Sequence, residues 1–211
     1  MENLMERWLR FCSRLNTQQD PYSPFMSILK QYNTRLRRCY TIDWYVPWWL
    51  GEFEMVRSFA SRQGELELAG WCHRAVWSPG VDGNEERSGL FAVEIGRMLG
   101  LPEYALRHAQ RLVLATKPGA PAKENDEILV ADISNFIYGL PMHEYCAFEE
   151  ALREEHAFLN TATYNKLRLD TLRRFLNQGY HLPQLRERFG ENAQNNITWT
   201  FSLLGRNAAD R

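Results

Sequence analysis

Apolar side chains recur at three- and four-residue spacing along almost the whole chain, and no stretch alternates at period two for long enough to make a strand. Leu4, Trp8, Phe11, Cys12 and Leu15 predict a short first helix that ends before Asp20-Pro21. Ser23-Pro24 reads as a cap and first-turn proline for a second helix that buries Phe25, Ile28, Leu29 and Tyr32. The aromatic run Tyr40 to Leu50, with Pro47 early in a helix, leads on through Phe53, Val56 and Phe59. Further helices are predicted over Glu65 to Trp77, from Asn84 to a stop at Gly100, and from Pro102 to Ala115. Lys117 to Ala122 is a loop, and Asp126 to Tyr138 is a helix ended by Gly139. Pro141 to Phe158, Ala162 to Leu176 and Asn192 to Leu204 complete the chain, with Tyr180 to Gly190 as a connecting piece.

This pattern predicts an all-α protein of about nine or ten helices in a single-domain bundle, with residues 1–22 as an N-terminal helical extension and 23–211 as the main body. A net charge of −1 gives no electrostatic case for nucleic acid or an anionic membrane. Cys12, Cys39, Cys72 and Cys146 are far apart, which argues against a zinc site or a disulfide framework and points to a reducing, cytoplasmic setting. The first fifteen residues lack the apolar core of a signal peptide, and no later run reaches the length of a membrane span.

Candidate chemistry concentrates in Glu67-Leu-Ala-Gly-Trp-Cys-His-Arg-Ala-Val-Trp-Ser-Pro79 and the following Asn84-Glu-Glu-Arg-Ser88. An apolar helix delivers His73 and Arg74 together, and Asn84 is placed to cap a helix whose first turn carries Glu85 and Glu86. Arg35, Arg37 and Arg38 form a basic cluster that reads as a solvated face. Asp132 stands among apolar neighbours and needs a partner. His108, His143, His156 and His181 match no metal-ligand spacing, and Cys72 reads as an inert buried thiol.

The central segment resembles the motif of the predicted metal-dependent phosphohydrolases of the HD superfamily, in which a buried helix ends in His-Asp and is followed by an aromatic, Asp-Pro and Asn-Glu-Glu-Arg-Ser. The resemblance runs from about Ile28 to Leu204. Arg37 to Tyr45 lines up with Arg-x-Tyr-His-x-x-x-His-Ile, with Tyr40 and Trp44 where the histidines belong. Ala115-Thr116 matches Ala-Thr-x-x-His, with Gly119 at the histidine position. Asp132-Ile-Ser-Asn135 aligns with Asp-x-Asp-Leu, Ser134 replacing the second aspartate. Arg153-Glu-Glu-His156 and Ala193-Gln-Asn-Asn-Ile197 resemble later signatures.

The resemblance implies a divalent metal held by an early histidine, the His-Asp pair and a distant aspartate, activating a water against a phosphoester. Of that set this chain keeps His73 and Asp132, and it has Arg74 in place of the aspartate. A guanidinium about 4 Å from a dication repels it by about 8 kcal/mol at an effective dielectric of 20. No family-type metal or other cofactor is therefore expected. Arg74 is instead predicted to pair with Asp132, with His73 nearby, as a structural replacement for the ion. The functional alternative has Arg37, Arg74 and the helix start at Asn84 holding a small anion or nucleotide, with Tyr40 and Trp44 filling the pocket. Two further readings stand beside these. One is an active phosphohydrolase using Mn, Fe, Ni, Mg or Zn on His73, Asp132 and Glu85 or Glu86. The other is a scaffold whose aromatics Trp44, Trp48 and Trp49 dock a protein partner. Without a metal, Glu85 and Glu86 read as favourable charges at a helix start rather than as general bases.

Overall fold

The computed structural model describes the backbone of residues 3–34 and 37–209 and their side chains through 205. Arg35, part of the basic cluster, lies outside the described residues. Among these residues there are ten α-helices and two 3-10 turns, and no strand. The helices are α1 (Leu4–Arg14), α2 (Tyr22–Tyr32), α3 (Tyr45–Val56), α4 (Gln63–Cys72), α5 (Asn84–Met98), α6 (Glu103–Ala115), α7 (Asn125–Ser134), α8 (Met142–Glu155), α9 (Thr161–Gln178) and α10 (Pro183–Ala209). Contacts group the chain into two compact units, Met1–Ala131 and Asp132–Arg211, with the division inside α7. The sequence pattern predicts no boundary there.

In the first unit α4 is the central element, packed by α1, α3, α5 and α6. It buries Leu66 to Cys72 without a gap, which is why an amphipathic stripe is missing from this segment. Such a helix is apolar all round because every face meets protein. Gly70 lets it approach α3: a Cβ there would stand 2.0 Å from Cζ3 of the fully buried Trp49. The one acid within the run, Glu67, takes both Arg14 of α1, at 2.6 and 2.8 Å, and Arg57, at 2.7 Å. Its desolvated carboxylate thereby ties the first helix into the unit. α1 packs into the same core. Trp8 and Phe11 are fully buried, and Trp8 meets Trp71 edge to face at 5.3 Å.

Helix starts and stops depart from the sequence pattern where a side chain from elsewhere supplies the cap. Asp20, rather than Ser23, accepts from the amides of Tyr22 and Ser23 at the head of α2. Asp126, sixty-odd residues downstream, accepts from the amides of Ser61 and Arg62 at the head of α4, at 2.7 and 2.9 Å. In the second unit, Asp132 accepts from the amides of His181 and Leu182, both at 2.7 Å, just ahead of α10. That helix begins at Pro183 rather than near Asn192, so most of the expected connecting piece is helical, with Leu185 and Phe189 buried. Gly139 gives Phe189 its place, since a Cβ there would meet the Phe189 Cβ at 2.3 Å. The buried Arg168 of α9 pairs with Glu149 of α8. No helix among the described residues is long and apolar enough to cross a membrane.

Candidate functional site at the junction of α4 and α5

The helix carrying His73 ends earlier than its composition predicts. α4 stops at Cys72, His73 is its C-cap, and residues 73–76 turn away. Arg37 holds this turn. Its guanidinium donates to the carbonyls of Tyr40 (2.9 Å), Arg74 (2.7 Å) and Ala75 (2.8 Å), and it lies over the Tyr32 ring at 4.6 Å. Helix-end carbonyls need donors, and here a buried arginine supplies them. Arg38 is exposed, in keeping with a solvated position, whereas Arg37 is buried.

The other side of the turn is closed from α5. Ser88 accepts from the amide of Val76 and donates to its carbonyl, both at 3.1 Å. Asn84 does not cap α5. The N-cap is Gly83, at φ 82°, a left-handed conformation that favours glycine. Asn84 is the first residue of the helix, and its amide closes the loop before it. It accepts from Ser78 N at 2.9 Å and donates to the carbonyls of Ser78 and Val81 at 3.0 and 3.1 Å.

Within this frame His73 is fully enclosed. Its Nδ1 faces the carbonyls of Ala69 (3.2 Å) and Gly70 (3.0 Å), so Nδ1 carries the hydrogen and Nε2 accepts from the Tyr45 hydroxyl at 2.8 Å. Burial, and then the charge of Arg74, push its pKa down to about 3. The ring is a neutral imidazole with both nitrogens engaged.

Arg74 lies beside it with its charge met on two sides. Its Nη1 donates to Glu85 Oε1 at 2.7 Å, both side chains being about nine-tenths buried. Its guanidinium also stands 4.9 Å from the Tyr40 ring centre and 5.5 Å from that of Trp77. Burial works against this charge, yet Tyr40, Glu85 and Tyr45 hold the arginine pKa above its ordinary value.

Arg74 and Asp132, paired in the sequence-based expectation, each find partners inside their own unit. Arg74 has Glu85. Asp132 has the two amides named above and His181, whose Nδ1 donates to Oδ1 at 3.0 Å. His181 matches no metal-ligand spacing, and forty-nine residues separate it from Asp132.

Glu85 and Glu86, adjacent in sequence, also part company. Glu85 points inward to Arg74, whereas Glu86 is exposed and meets Lys117 at 2.5 Å, which lowers its pKa. Tyr40 and Trp44 share no helix face, since α3 begins only at Tyr45. Tyr40 is buried edge-on against Tyr45 at 5.0 Å and Trp77 at 4.8 Å, and Trp44 is half-buried. Trp49 is fully buried within the core, so it is not part of an exposed docking set.

Tyr45 and Trp77 are the contributors the sequence reading missed. In the aromatic run Tyr40 to Leu50 no spacing marks which hydroxyl reaches His73, and Trp77, at the predicted end of its helix, lies past the point where α4 stops.

Chemically, the junction holds a neutral imidazole with no vacant nitrogen, a fixed guanidinium and one carboxylate already neutralised. Such a donor set does not fit a divalent metal, which needs uncommitted imidazole nitrogens and ionised carboxylates converging on one point. No three His, Cys, Asp or Glu side chains among the described residues are grouped so as to hold an ion. Compared with known proteins, the chain matches no family model, no curated protein and no solved structure.

Proposed function

We propose that this chain is a catalytically degenerate HD-domain-like protein, metal-free, in which the junction of α4 and α5 has become a structural element. It serves as a binding module for a small anionic ligand or a protein partner rather than as a hydrolase. One observation carries the reading. Arg74 puts a permanent positive charge where the motif it resembles has a metal-binding aspartate, and that charge faces Glu85 and two aromatic rings. Arg37, the other arginine of the resemblance, gives both terminal nitrogens to backbone carbonyls. Both favour the structural role over anion capture at the junction itself, so ligand binding belongs elsewhere on the chain.

The reading is tested by purifying the protein without chelator and measuring bound Mn, Fe, Ni, Mg and Zn. A panel of nucleotides and simple phosphoesters is then assayed with each metal added. Substoichiometric metal and no turnover are expected. Stoichiometric metal, or hydrolysis abolished by Asp132→Ala, overturns it.

A further inference from the structure

A second cluster of arginines lies in the first unit, and no residue of the HD-like motif takes part in it. Tyr104, Arg107, His108 and Arg111 fall at positions i, i+3, i+4 and i+7 of α6 and so share one face. With Arg62, at the head of α4, and Glu124, just before α7, they line a surface cleft of about 310 Å3. That volume is at the small end of ligand sites.

The floor of the cleft is built rather than incidental. His108 is more than nine-tenths buried. Its Nδ1 accepts from Arg111 at 3.2 Å, which leaves its Nε2 hydrogen to Asp126 at 3.4 Å. Asp126 in turn accepts from the amides of Ser61 and Arg62. A chain of hydrogen bonds thus runs from Arg111 through the imidazole to the N-terminus of α4.

The rim is differently disposed. Arg107 is exposed and has no carboxylate or hydrogen-bond partner among the described residues. Arg111 meets Glu124 at 2.7 Å and Glu127 at 3.9 Å, and Arg62 meets Glu65 at 3.5 Å. Arg111 and Glu124 are each about half exposed, and exposed pairs of this kind are weak, so an incoming oxyanion exchanges with them at little cost. Beside the arginines, Tyr104 is 58% exposed and has the Arg62 guanidinium over its ring at 5.3 Å. The cleft therefore offers guanidinium forks to an oxyanion and an aromatic flank to whatever carries it.

We propose that this cleft binds the phosphate group of a small phosphate monoester, with Arg107 and Arg111 on the oxygens and Tyr104 against the organic part. The proposal rests on the binding-module reading above but not on its metal-free part, because none of these residues belongs to the α4–α5 junction.

The test is a titration of the full chain at constant ionic strength with phenyl phosphate, inorganic phosphate and sodium chloride as separate probes. Binding is followed by calorimetry and by amide NMR shifts. Saturable binding of phenyl phosphate, tighter than inorganic phosphate and not reproduced by chloride, is expected. Arg107→Ala, at an exposed position that leaves folding intact, should weaken it by about tenfold, as losing one charge-assisted hydrogen bond implies. Glu124→Gln, which removes the nearer of the two carboxylates facing Arg111, should tighten it severalfold, a gain that a merely structural Glu124 would not produce.

Inorganic phosphate binding as tightly as the ester removes Tyr104 from the proposal and overturns its ligand class. No saturation with either phosphate probe, or affinity unchanged in Arg107→Ala, overturns the site. Metal content decides the metal-free reading independently of any of these outcomes.

Discussion

Removing Glu85 leaves the guanidinium of Arg74 desolvated and without its carboxylate, and the size of the resulting loss follows from the geometry. The pair is 2.7 Å apart between heavy atoms and about nine-tenths buried on both sides. At roughly 4 Å between charge centres and an effective dielectric of 20, the attraction is about 4 kcal/mol. The desolvation of both groups consumes much of this, so the intact pair adds little net stability, but breaking it exposes the full penalty. Glu85→Ala and Arg74→Met are each expected to cost about 3–5 kcal/mol. The double variant Arg74→Met with Glu85→Ala should cost at least 2 kcal/mol less than the two added together, because no orphan charge remains. Glu86→Ala is the internal control. The Lys117–Glu86 contact is as short, at 2.5 Å, but open to solvent, so its loss should leave the unfolding midpoint unchanged within error. Urea unfolding followed by tryptophan fluorescence is the assay, since Trp8, Trp44, Trp48, Trp49, Trp71 and Trp77 all belong to the first unit and only Trp199 to the second. Single variants that each cost under about 1 kcal/mol, or a double variant equal to their sum, would refute the reasoning.

Three further outcomes follow from the same packing. His73 has a folded pKa depressed from 6.5 to about 3, so its contribution is fully present above pH 6.5 and is lost as pH falls toward 3. Wild type should therefore lose about 1.4 kcal/mol per pH unit more than His73→Gln once below pH 6. Parallel pH profiles for the two would contradict this. Gly70→Ala drives a Cβ to within 2.0 Å of Trp49 and should destabilise by about 3 kcal/mol, with partial recovery in Gly70→Ala/Trp49→Phe; a neutral Gly70→Ala would show that α3 moves freely. Asp126→Asn weakens the only side-chain acceptor at the head of α4 among the described residues and should cost about 1–2 kcal/mol by urea unfolding, whereas no change would mean that water serves those amides equally well.

The all-helical class was legible because the apolar spacing in α1, α2 and α6 is that of half-buried helices, and Gly100 with Pro102 marks one junction in the expected way. What escaped the sequence lies where distant residues complete a local structure. α4 ends at Cys72 instead of Trp77 because Arg37 and Ser88 supply partners for the turn, and neither is near it in sequence. α10 starts early because Asp132 binds the amides ahead of it. Among the candidate site residues, the sequence identified His73, Arg74 and Glu85 as a group but assigned Arg74 to Asp132. Burial shows that the charge of an arginine needs partners; it does not show which. The acid eleven residues away lies on the helix that closes the same turn, whereas the pairing of Arg74 with Asp132 follows from the resemblance. Tyr45, Glu67 and Asp126 were passed over because their roles depend on contacts across the fold.

The central claim is that the α4–α5 junction is filled by its own side chains and leaves His73 a neutral ring with no nitrogen to offer. It is tested most directly by the imidazole nitrogen NMR signals of His73, recorded from pH 7 to pH 4 and again with stoichiometric Mn added. The account predicts the Nδ1–H tautomer throughout, no protonation down to about pH 4, and no paramagnetic broadening. A ring that titrates near 6.5, or whose signals vanish with one equivalent of Mn, contradicts it.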